Sequence, residues 1–165
     1  MMMLNMPPDE NSDAASTEPP QRTQPRVLVI DDDPQISQAI KFRLETYGIE
    51  VVRAFDGMPG FWTALETRPD VIVCDLVMPD GEGNYLLSRF RSHTFTKDVP
   101  IIILTGQTNP ALKRQMLSLG VSAYLTKPLV FDELLAELRL TLPGAANLAA
   151  PTRQVPRFEL PLRSS

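Results

Sequence analysis

The stretch RVLVIDDDPQI, Arg26 to Ile36, is a run of apolar β-forming residues that ends in three adjacent carboxylates. Its first half is typical of a strand that is buried on both faces. From Pro34 onward four apolar residues fall on one helical face, and they are Ile36, Ile40, Leu44 and Tyr47. Gly48 stands where such a helix would end. The stretch therefore predicts a β-strand that delivers acidic side chains to the start of a helix.

The same alternation of strand and helix continues along the chain. The predicted strands are RVLVI (26–30), EVVRAF (50–55), DVIVCD (70–75), VPIIILT (99–105) and SAYLT (122–126). A helix is predicted after each strand, the last one carrying Leu134, Leu135 and Leu138 on its inner face. Five strand–helix units in succession predict an α/β fold, a five-stranded doubly wound parallel sheet with five helices.

The composition changes at both ends of this region. Residues 1–25 contain five prolines among acidic and small polar residues. Such a composition cannot bury enough apolar surface to offset chain entropy, so we predict a disordered N-terminal tail. Prolines also interrupt the chain after Leu142, and we predict a second disordered, proline-rich tail over residues 143–165. The folded domain is expected to cover residues 26–142.

Charge and composition exclude several classes of protein. The net charge of -4 comes from 20 acidic and 16 basic residues that are scattered along the chain, which disfavours direct nucleic-acid binding. The single cysteine, Cys74, cannot form an internal disulfide. The sequence shows neither a secretory signal nor an apolar run of the ~20 residues that a membrane span needs. We therefore expect a cytoplasmic protein that does not insert into membranes.

Polar side chains follow the ends of four predicted strands. They are Asp31, Asp32 and Asp33 after the first strand, Asp75 in the third, Thr105 in the fourth, and Thr126 and Lys127 at the end of the fifth. The carboxyl ends of parallel strands meet at one edge of the sheet, where such folds bind ligands. Asp33 stands directly before Pro34, a pattern typical of a helix N-cap, and we assign it mainly to capping.

These residue types suggest phosphoryl chemistry. Clustered carboxylates repel each other, by roughly 4 kcal/mol for one pair at 4 Å and an effective dielectric constant of 20, and a divalent cation relieves the repulsion. Oxygen ligands without His or Cys favour Mg²⁺ over Zn²⁺. In this hypothesis Asp75 is the nucleophile for a phosphoryl group, Lys127 a counter-charge and Thr105 a hydrogen-bond donor.

Four segments, in this order, resemble the receiver domain of two-component response regulators: VLVIDDDP, VIVCDLVMPDGEG, PIIILTG and AYLTKP. The likeness covers residues 26–142. With this family we predict a flavodoxin-like sheet with strand order 2-1-3-4-5. The resemblance implies that Asp31 and Asp32 hold Mg²⁺ together with Asp75 and the backbone carbonyl of Val77. It also implies that Asp75 is the residue that becomes phosphorylated.

The resemblance gives roles to the two remaining segments as well. Thr105 is implied as the switch hydroxyl, Tyr124 as the switch aromatic residue and Lys127 as the lysine beside the phosphoryl group. The bond between Lys127 and Pro128 is implied to be cis. The chain shows no departure from the family's pattern at these functional positions.

The implied protein is a response regulator that a sensor histidine kinase or a histidine phosphotransfer protein phosphorylates on Asp75 in a Mg²⁺-dependent reaction. It would be a signalling protein and not an enzyme in the metabolic sense, although it would catalyse its own phosphorylation and dephosphorylation. The face formed by the fourth helix, fifth strand and fifth helix would bind a downstream protein or a second copy. Only 23 residues follow Leu142, so we expect a stand-alone receiver.

Several alternatives remain open at this stage. An aspartate-based phosphatase uses similar residues but needs a second carboxylate two residues after the nucleophile, where this chain has Val77. A receiver-like module that binds a partner without phosphorylation, a terminal regulator and an intermediate phosphate shuttle in a relay are the others. The segment TRQVPRFELPLRSS, residues 152–165, is either a short docking motif or an inert end.

Three other residues attract attention but are not given a catalytic role. His93 falls in a loop and is expected to be a solvated loop residue, whereas a phosphotransfer histidine should lie on a helix. Cys74 lies within an apolar strand and is expected to be a small core residue. Trp62, beside Phe61, is expected to belong partly to the core.

Overall fold

The computed structural model describes residues 22–78, 81–145 and 148. The strands are β1 Arg26–Ile30, β2 Glu50–Ala54, β3 Val71–Cys74, β4 Val77–Met78, β5 Gly81–Glu82, β6 Ile101–Thr105 and β7 Ala123–Thr126. The helices are α1 Pro34–Glu45, α2 Gly57–Thr67, α3 Gly83–Ser92, α4 Pro110–Ser118 and α5 Phe131–Thr141. Most of the two predicted tails lies outside the described residues.

Five parallel strands form the main sheet in the order β2-β1-β3-β6-β7. Numbered along the chain among themselves, these strands have the order 2-1-3-4-5, so the predicted α/β fold and its five helices are confirmed. The short strands β4 and β5 pair antiparallel just before α3, and the sequence reasoning had missed them. Two-residue strands carry too little alternation to be detected from a pattern of apolar residues.

The alternation of side chains along each central strand builds a hydrophobic core on both faces of the sheet. On β1, Val27 and Val29 pack with the apolar residues of α1 and α5. Leu28 and Ile30 pack on the opposite face with those of α2, α3 and α4. Every side chain of β1 after its first residue is therefore buried, which explains why the strand is apolar throughout.

Helix α1 begins where the sequence predicts. The Asp33 carboxylate accepts hydrogen bonds from the backbone N–H groups of Gln35 at 2.8 Å and Ile36 at 3.4 Å. Pro34 occupies the first helical turn, where its missing N–H costs nothing. Asp33 thus orients the helix that starts beside the acidic residues of β1.

The packed region continues slightly beyond residue 142. Ala145 is buried in the core, and Leu148 packs against it. At the other end the Pro25 carbonyl accepts a hydrogen bond from the Glu50 N–H at 2.9 Å. Across the described residues, no helix is both long and apolar enough to cross a membrane.

Candidate functional site

Two neighbouring strands place carboxylates side by side at the carboxyl edge of the sheet. Ile30 of β1 is in register with Cys74 of β3, so Asp31 and Asp75 follow at the same level. The Asp75 N–H donates to the Ile30 carbonyl at 2.9 Å and fixes this arrangement. Both residues are almost completely buried, with whole-residue exposures of 2% for Asp31 and 5% for Asp75.

Asp32 completes an acidic cluster with these two residues. One carboxylate oxygen from each of Asp31, Asp32 and Asp75 lies within 4.8 Å of the others. Asp32 is exposed, so the cluster opens to solvent on its side. All three donors are hard oxygen atoms, and a cluster of anionic oxygens at this spacing suits Mg²⁺ better than a metal that prefers nitrogen or sulfur. The residues present therefore fit a magnesium site.

Lys127 joins the two buried carboxylates. Its Nζ lies 2.7 Å from Asp75 Oδ2 and 2.9 Å from Asp31 Oδ2. Its position follows from β7, because Thr126 is in register with Thr105 and the Lys127 N–H donates to the Thr105 carbonyl at 2.8 Å. The peptide bond between Lys127 and Pro128 is cis.

Burial and neighbouring charges act in opposite directions on the pKa values of Asp31 and Lys127. Burial raises the pKa of Asp31 above its usual value, although the Asp33 N–H and Lys127 both favour the charged carboxylate. Burial by itself lowers the pKa of Lys127, but the hydrogen bonds and charges of Asp75 and Asp31 outweigh it, so that its pKa is raised. Lys127 is therefore held as a cation between two carboxylates.

Thr105 and Tyr124 meet at the backbone of Gln107. Thr105 is fully buried at the end of β6, and its Oγ1 accepts a hydrogen bond from the Gln107 N–H at 3.3 Å. The Tyr124 ring is also buried, and its hydroxyl donates to the Gln107 carbonyl at 2.8 Å. Burial, and then the charge of Asp75, raise the pKa of the Tyr124 hydroxyl, so it stays a donor. The sequence could not predict that the Gln107 backbone joins these two side chains, because the contacts depend only on backbone atoms.

The remaining residues of interest lie as follows. Val77 belongs to β4, two residues after Asp75, and is paired with Glu82. Cys74 is fully enclosed, burial raises the pKa of its thiol, and its Sγ contacts the Asp75 carbonyl oxygen at 3.2 Å. His93 packs against Phe61, with ring centroids 5.8 Å apart.

Trp62 is more exposed than its predicted partial place in the core suggests. Its side chain is 56% exposed, whereas the neighbouring Phe61 is buried. The two residues are adjacent on α2, so only one of them can point towards the sheet, and it is Phe61.

The structure thus combines a doubly wound sheet with an acidic cluster, a bridging lysine and a buried hydroxyl at its carboxyl edge. The family model described as the response regulator receiver domain matches residues 27–139, and the chain belongs to this family. Receiver domains are signalling proteins that bind Mg²⁺ at the acidic pocket and interact with histidine kinases or phosphotransfer proteins.

Curated relatives include longer transcriptional regulators. The chain is 37% identical to the DNA-binding dual master transcriptional regulator RpaA of Synechocystis, with 84% of this chain and 60% of the relative covered. It is also 37% identical to the transcriptional regulatory protein KdpE of Mycobacterium tuberculosis, with 82% of this chain and 60% of that relative covered. The chain therefore spans about 60% of the length of these relatives.

Solved structures match nearly over their whole length. The chemotaxis response regulator CheY4 of Vibrio cholerae has a TM-score of 0.67 and 33% identity, with 72% of this chain and 99% of that chain covered. The receiver domain of the Francisella response regulator 1452 has a TM-score of 0.66 and 37% identity, with 72% and 96% covered.

Proposed function

We propose that this chain is a response regulator that is phosphorylated on Asp75 by the phosphohistidine of a sensor kinase or phosphotransfer protein. The observation that carries the proposal is the contact of Lys127 Nζ with both Asp75 and Asp31, at 2.7 and 2.9 Å. A lysine in this place can offset charge on a phosphoryl group attached to Asp75. A purely structural carboxylate would not require two acidic neighbours at the ligand-binding edge of the sheet.

The proposed transfer is a substitution at phosphorus. An Asp75 carboxylate oxygen forms a bond to the phosphorus while the phosphorus–nitrogen bond of the phosphohistidine breaks, and the imidazole leaves. Lys127 is then released from its contact with the free carboxylate and pairs with a phosphoryl oxygen. Thr105, buried beside the site, donates its hydroxyl to another phosphoryl oxygen.

Magnesium is the cofactor that this reaction requires. Asp31, Asp32, Asp75 and the Val77 carbonyl are the groups proposed to hold it. When bound, it would neutralise the negative charge that the carboxylates and the phosphoryl group bring together. The open side of the cluster at Asp32 leaves room for the phosphodonor to approach.

The signal is proposed to pass through Gln107 to Tyr124. If Thr105 turns to a phosphoryl oxygen, its Oγ1 no longer accepts the Gln107 N–H at 3.3 Å. The Gln107 backbone is then free to shift, and with it the carbonyl that holds the Tyr124 hydroxyl. This would alter the face formed by α4, β7 and α5, which exposes Leu117 and Leu140.

We propose that output occurs through protein contacts rather than DNA binding, as a stand-alone regulator. The acidic balance of the chain supports this, since a nucleic-acid surface needs clustered positive charge. A phosphate shuttle in a relay would use the same site. The two roles differ in whether phosphate leaves Asp75 for a second histidine.

Intact mass spectrometry tests the phosphorylation. The protein is incubated with Mg²⁺ and acetyl phosphate, and a gain of one phosphoryl group is expected. Asp75→Asn should abolish the gain, and EDTA should do the same in the native chain. If acetyl phosphate gives no adduct and beryllofluoride leaves the NMR spectrum unchanged, the chain is a binding module that works without phosphorylation.

Two further assays separate the output roles. Incubating the phosphorylated chain with phosphotransfer proteins shows whether phosphate moves on to a histidine, as a shuttle requires. A gel-shift assay with mixed-sequence duplex DNA is expected to show no complex at low salt, where electrostatic binding is strongest. A complex there would overturn the proposal that output avoids DNA.

A further inference from the structure

A group of aromatic and arginine side chains, three of them exposed and two partly buried, lies on α2 and the segment around the end of α3, away from the acidic cluster. We call it the aromatic–arginine surface, and it consists of Trp62, Arg68, Arg89, His93 and Phe95. Trp62 and Phe95 are each more than half exposed, at 56% and 52%. Large aromatic side chains exposed together, next to positive charge, are typical of binding surfaces.

Direct ring contacts connect these residues. Phe61, buried beneath them, has ring centroids 5.5 Å from Trp62 and 5.8 Å from His93, and the Arg89 guanidinium carbon lies 5.0 Å from its centroid. The surface is thus built on one buried ring.

Phe95 extends the same surface. The Arg68 guanidinium carbon lies 3.2 Å from its centroid, and the His93 ring lies 5.5 Å away. Within the part of the chain that the structure describes, neither Arg68 nor Arg89 forms an ion pair with a carboxylate. A guanidinium that stacks on a ring keeps N–H donors for a carboxylate. The surface therefore suits a segment that combines acidic and apolar side chains.

Residues 1–21 of this chain have that composition. They contain four acidic residues and no Lys, Arg or His, and five apolar side chains stand among the first six residues. The acidic residues are Asp9, Glu10, Asp13 and Glu18, and the apolar ones are Met1, Met2, Met3, Leu4 and Met6. These residues lie outside the described part, so their composition and their point of attachment carry the inference.

The point of attachment is beside the surface. Arg22 directly follows the segment, and its guanidinium donates to the Arg68 carbonyl at 2.7 Å and contacts Asp70 at 3.5 Å. Glu18 is four residues away, a reach of about 14 Å, and Trp62 lies six helical residues, about 9 Å, before Arg68. The segment is long enough to cross the whole surface.

We propose that the acidic segment of residues 1–21 docks on the aromatic–arginine surface of its own chain and covers Trp62 and Phe95. Because the segment is tethered, its effective concentration at the surface is on the order of millimolar, so weak contacts suffice. Its carboxylates pair with Arg68 and Arg89, and its methionines, which adapt to irregular apolar surfaces, cover the rings. This intramolecular contact goes beyond the proposed function and does not depend on phosphorylation.

Trp62 reports on the contact directly, because it is the only tryptophan in the chain. Acrylamide quenching of its fluorescence is compared between the full chain and a variant that lacks residues 1–21, both without phosphodonor. The variant is expected to be quenched about twice as efficiently, since removing the cover frees the exposed half of the indole. A synthetic peptide of residues 1–21, added at about millimolar concentration, should restore protection.

Two full-length variants test whether the acidic side chains, and not only the presence of the segment, protect Trp62. A variant with Asp9→Asn, Glu10→Gln, Asp13→Asn and Glu18→Gln should behave like the truncated chain. A matched variant with Ser12→Ala and Ser16→Ala should behave like the native one. About 1 M salt, which shortens electrostatic interactions to ~3 Å, should also weaken the protection.

Three results would overturn the proposal. One is equal quenching in the full and truncated chains, with circular dichroism showing both folded. Another is protection that survives neutralisation of the acidic residues. The third is protection that disappears on dilution, which would make a second copy of the chain the occupant.

Discussion

Replacing Lys127 by methionine is expected to destabilise the fold in a manner that depends on pH. In the structure, Lys127 Nζ contacts Asp75 and Asp31, whose side chains are 5% and 3% exposed. Methionine keeps much of the apolar stem, so the substitution removes charge and hydrogen bonds more than packing. The variant leaves two buried carboxylates beside each other without their cation.

The expected loss of folding stability follows from two limits. Removing one partner of a buried ion pair costs about 3–5 kcal/mol. The loss cannot exceed the free energy of protonating one of the carboxylates, because the folded variant can relieve the repulsion by taking up a proton. One pKa unit corresponds to about 1.4 kcal/mol. Forcing a carboxyl group with a usual pKa of about 4 into its neutral form costs about 4 kcal/mol at pH 7 and about 1.5 kcal/mol at pH 5. We therefore expect a loss of about 3–4 kcal/mol near pH 7 and about 1–1.5 kcal/mol near pH 5.

The direction of the pH dependence follows from the pKa of Asp31. Burial already raises the pKa of Asp31, and Lys127 is one of the groups that counteract the rise. Without Lys127 that pKa rises further, so the folded variant binds more protons than the unfolded chain above about pH 4. Its stability must then fall as the pH rises through this window.

Urea unfolding followed by circular dichroism, in EDTA near pH 5 and near pH 7, measures both losses. Lys113→Met is the matched control, because Lys113 is exposed on α4 and should cost little at either pH. Added Mg²⁺ should restore part of the stability of Lys127→Met, since the carboxylates then regain a cation. A loss of equal size at both pH values, or none near pH 7, would refute the reasoning.

Two further substitutions test the packing around the site. Tyr124→Phe removes the hydroxyl that donates to the Gln107 carbonyl at 2.8 Å, and unfolding should become easier by about 1 kcal/mol, while phosphorylation measured by intact mass should persist. An unchanged urea midpoint would show that this bond adds nothing. Gly83→Ala would place a Cβ 2.5 Å from Leu76 Cδ2 and 3.0 Å from Leu76 Cα, so a loss of about 1–3 kcal/mol is expected on urea unfolding. Gly106→Ala, where a Cβ meets open space, is the control, and equal losses at both glycines would contradict the packing argument.

The sequence was most informative about the sheet. Each central strand is buried on both faces, so hydrophobicity alone marked its extent, and the residue after each strand was fixed at the carboxyl edge by the parallel topology. The sequence alone therefore places Asp31, Asp75 and Lys127 near one another. The distances between these side chains could not be predicted, because they depend on strand register and on the turn at Pro128.

Other features depend on contacts that a sequence pattern does not contain. The exposure of Trp62 on α2 is one of them, because it depends on what packs beside the indole and not on the hydrophobicity of the residue. The structure buries Phe61 and leaves Trp62 exposed. Gln107 acts through its N–H and carbonyl, which every non-proline residue has, so no side-chain signal could have predicted its contacts with Thr105 and Tyr124.

The hydrogen bonds of the described residues connect the acidic cluster to the interior of the α4–β7–α5 face in a few steps. Lys127 binds Asp75 with its side chain and Thr105 with its backbone N–H. Thr105 binds the Gln107 N–H, and the Gln107 carbonyl binds Tyr124. Each of these groups is wholly or largely buried or belongs to the backbone, so none can change its partner without a compensating partner. A phosphoryl group on Asp75 would supply new acceptors to Lys127 and Thr105 at once, which is why we expect the chain of bonds to rearrange together rather than one bond at a time.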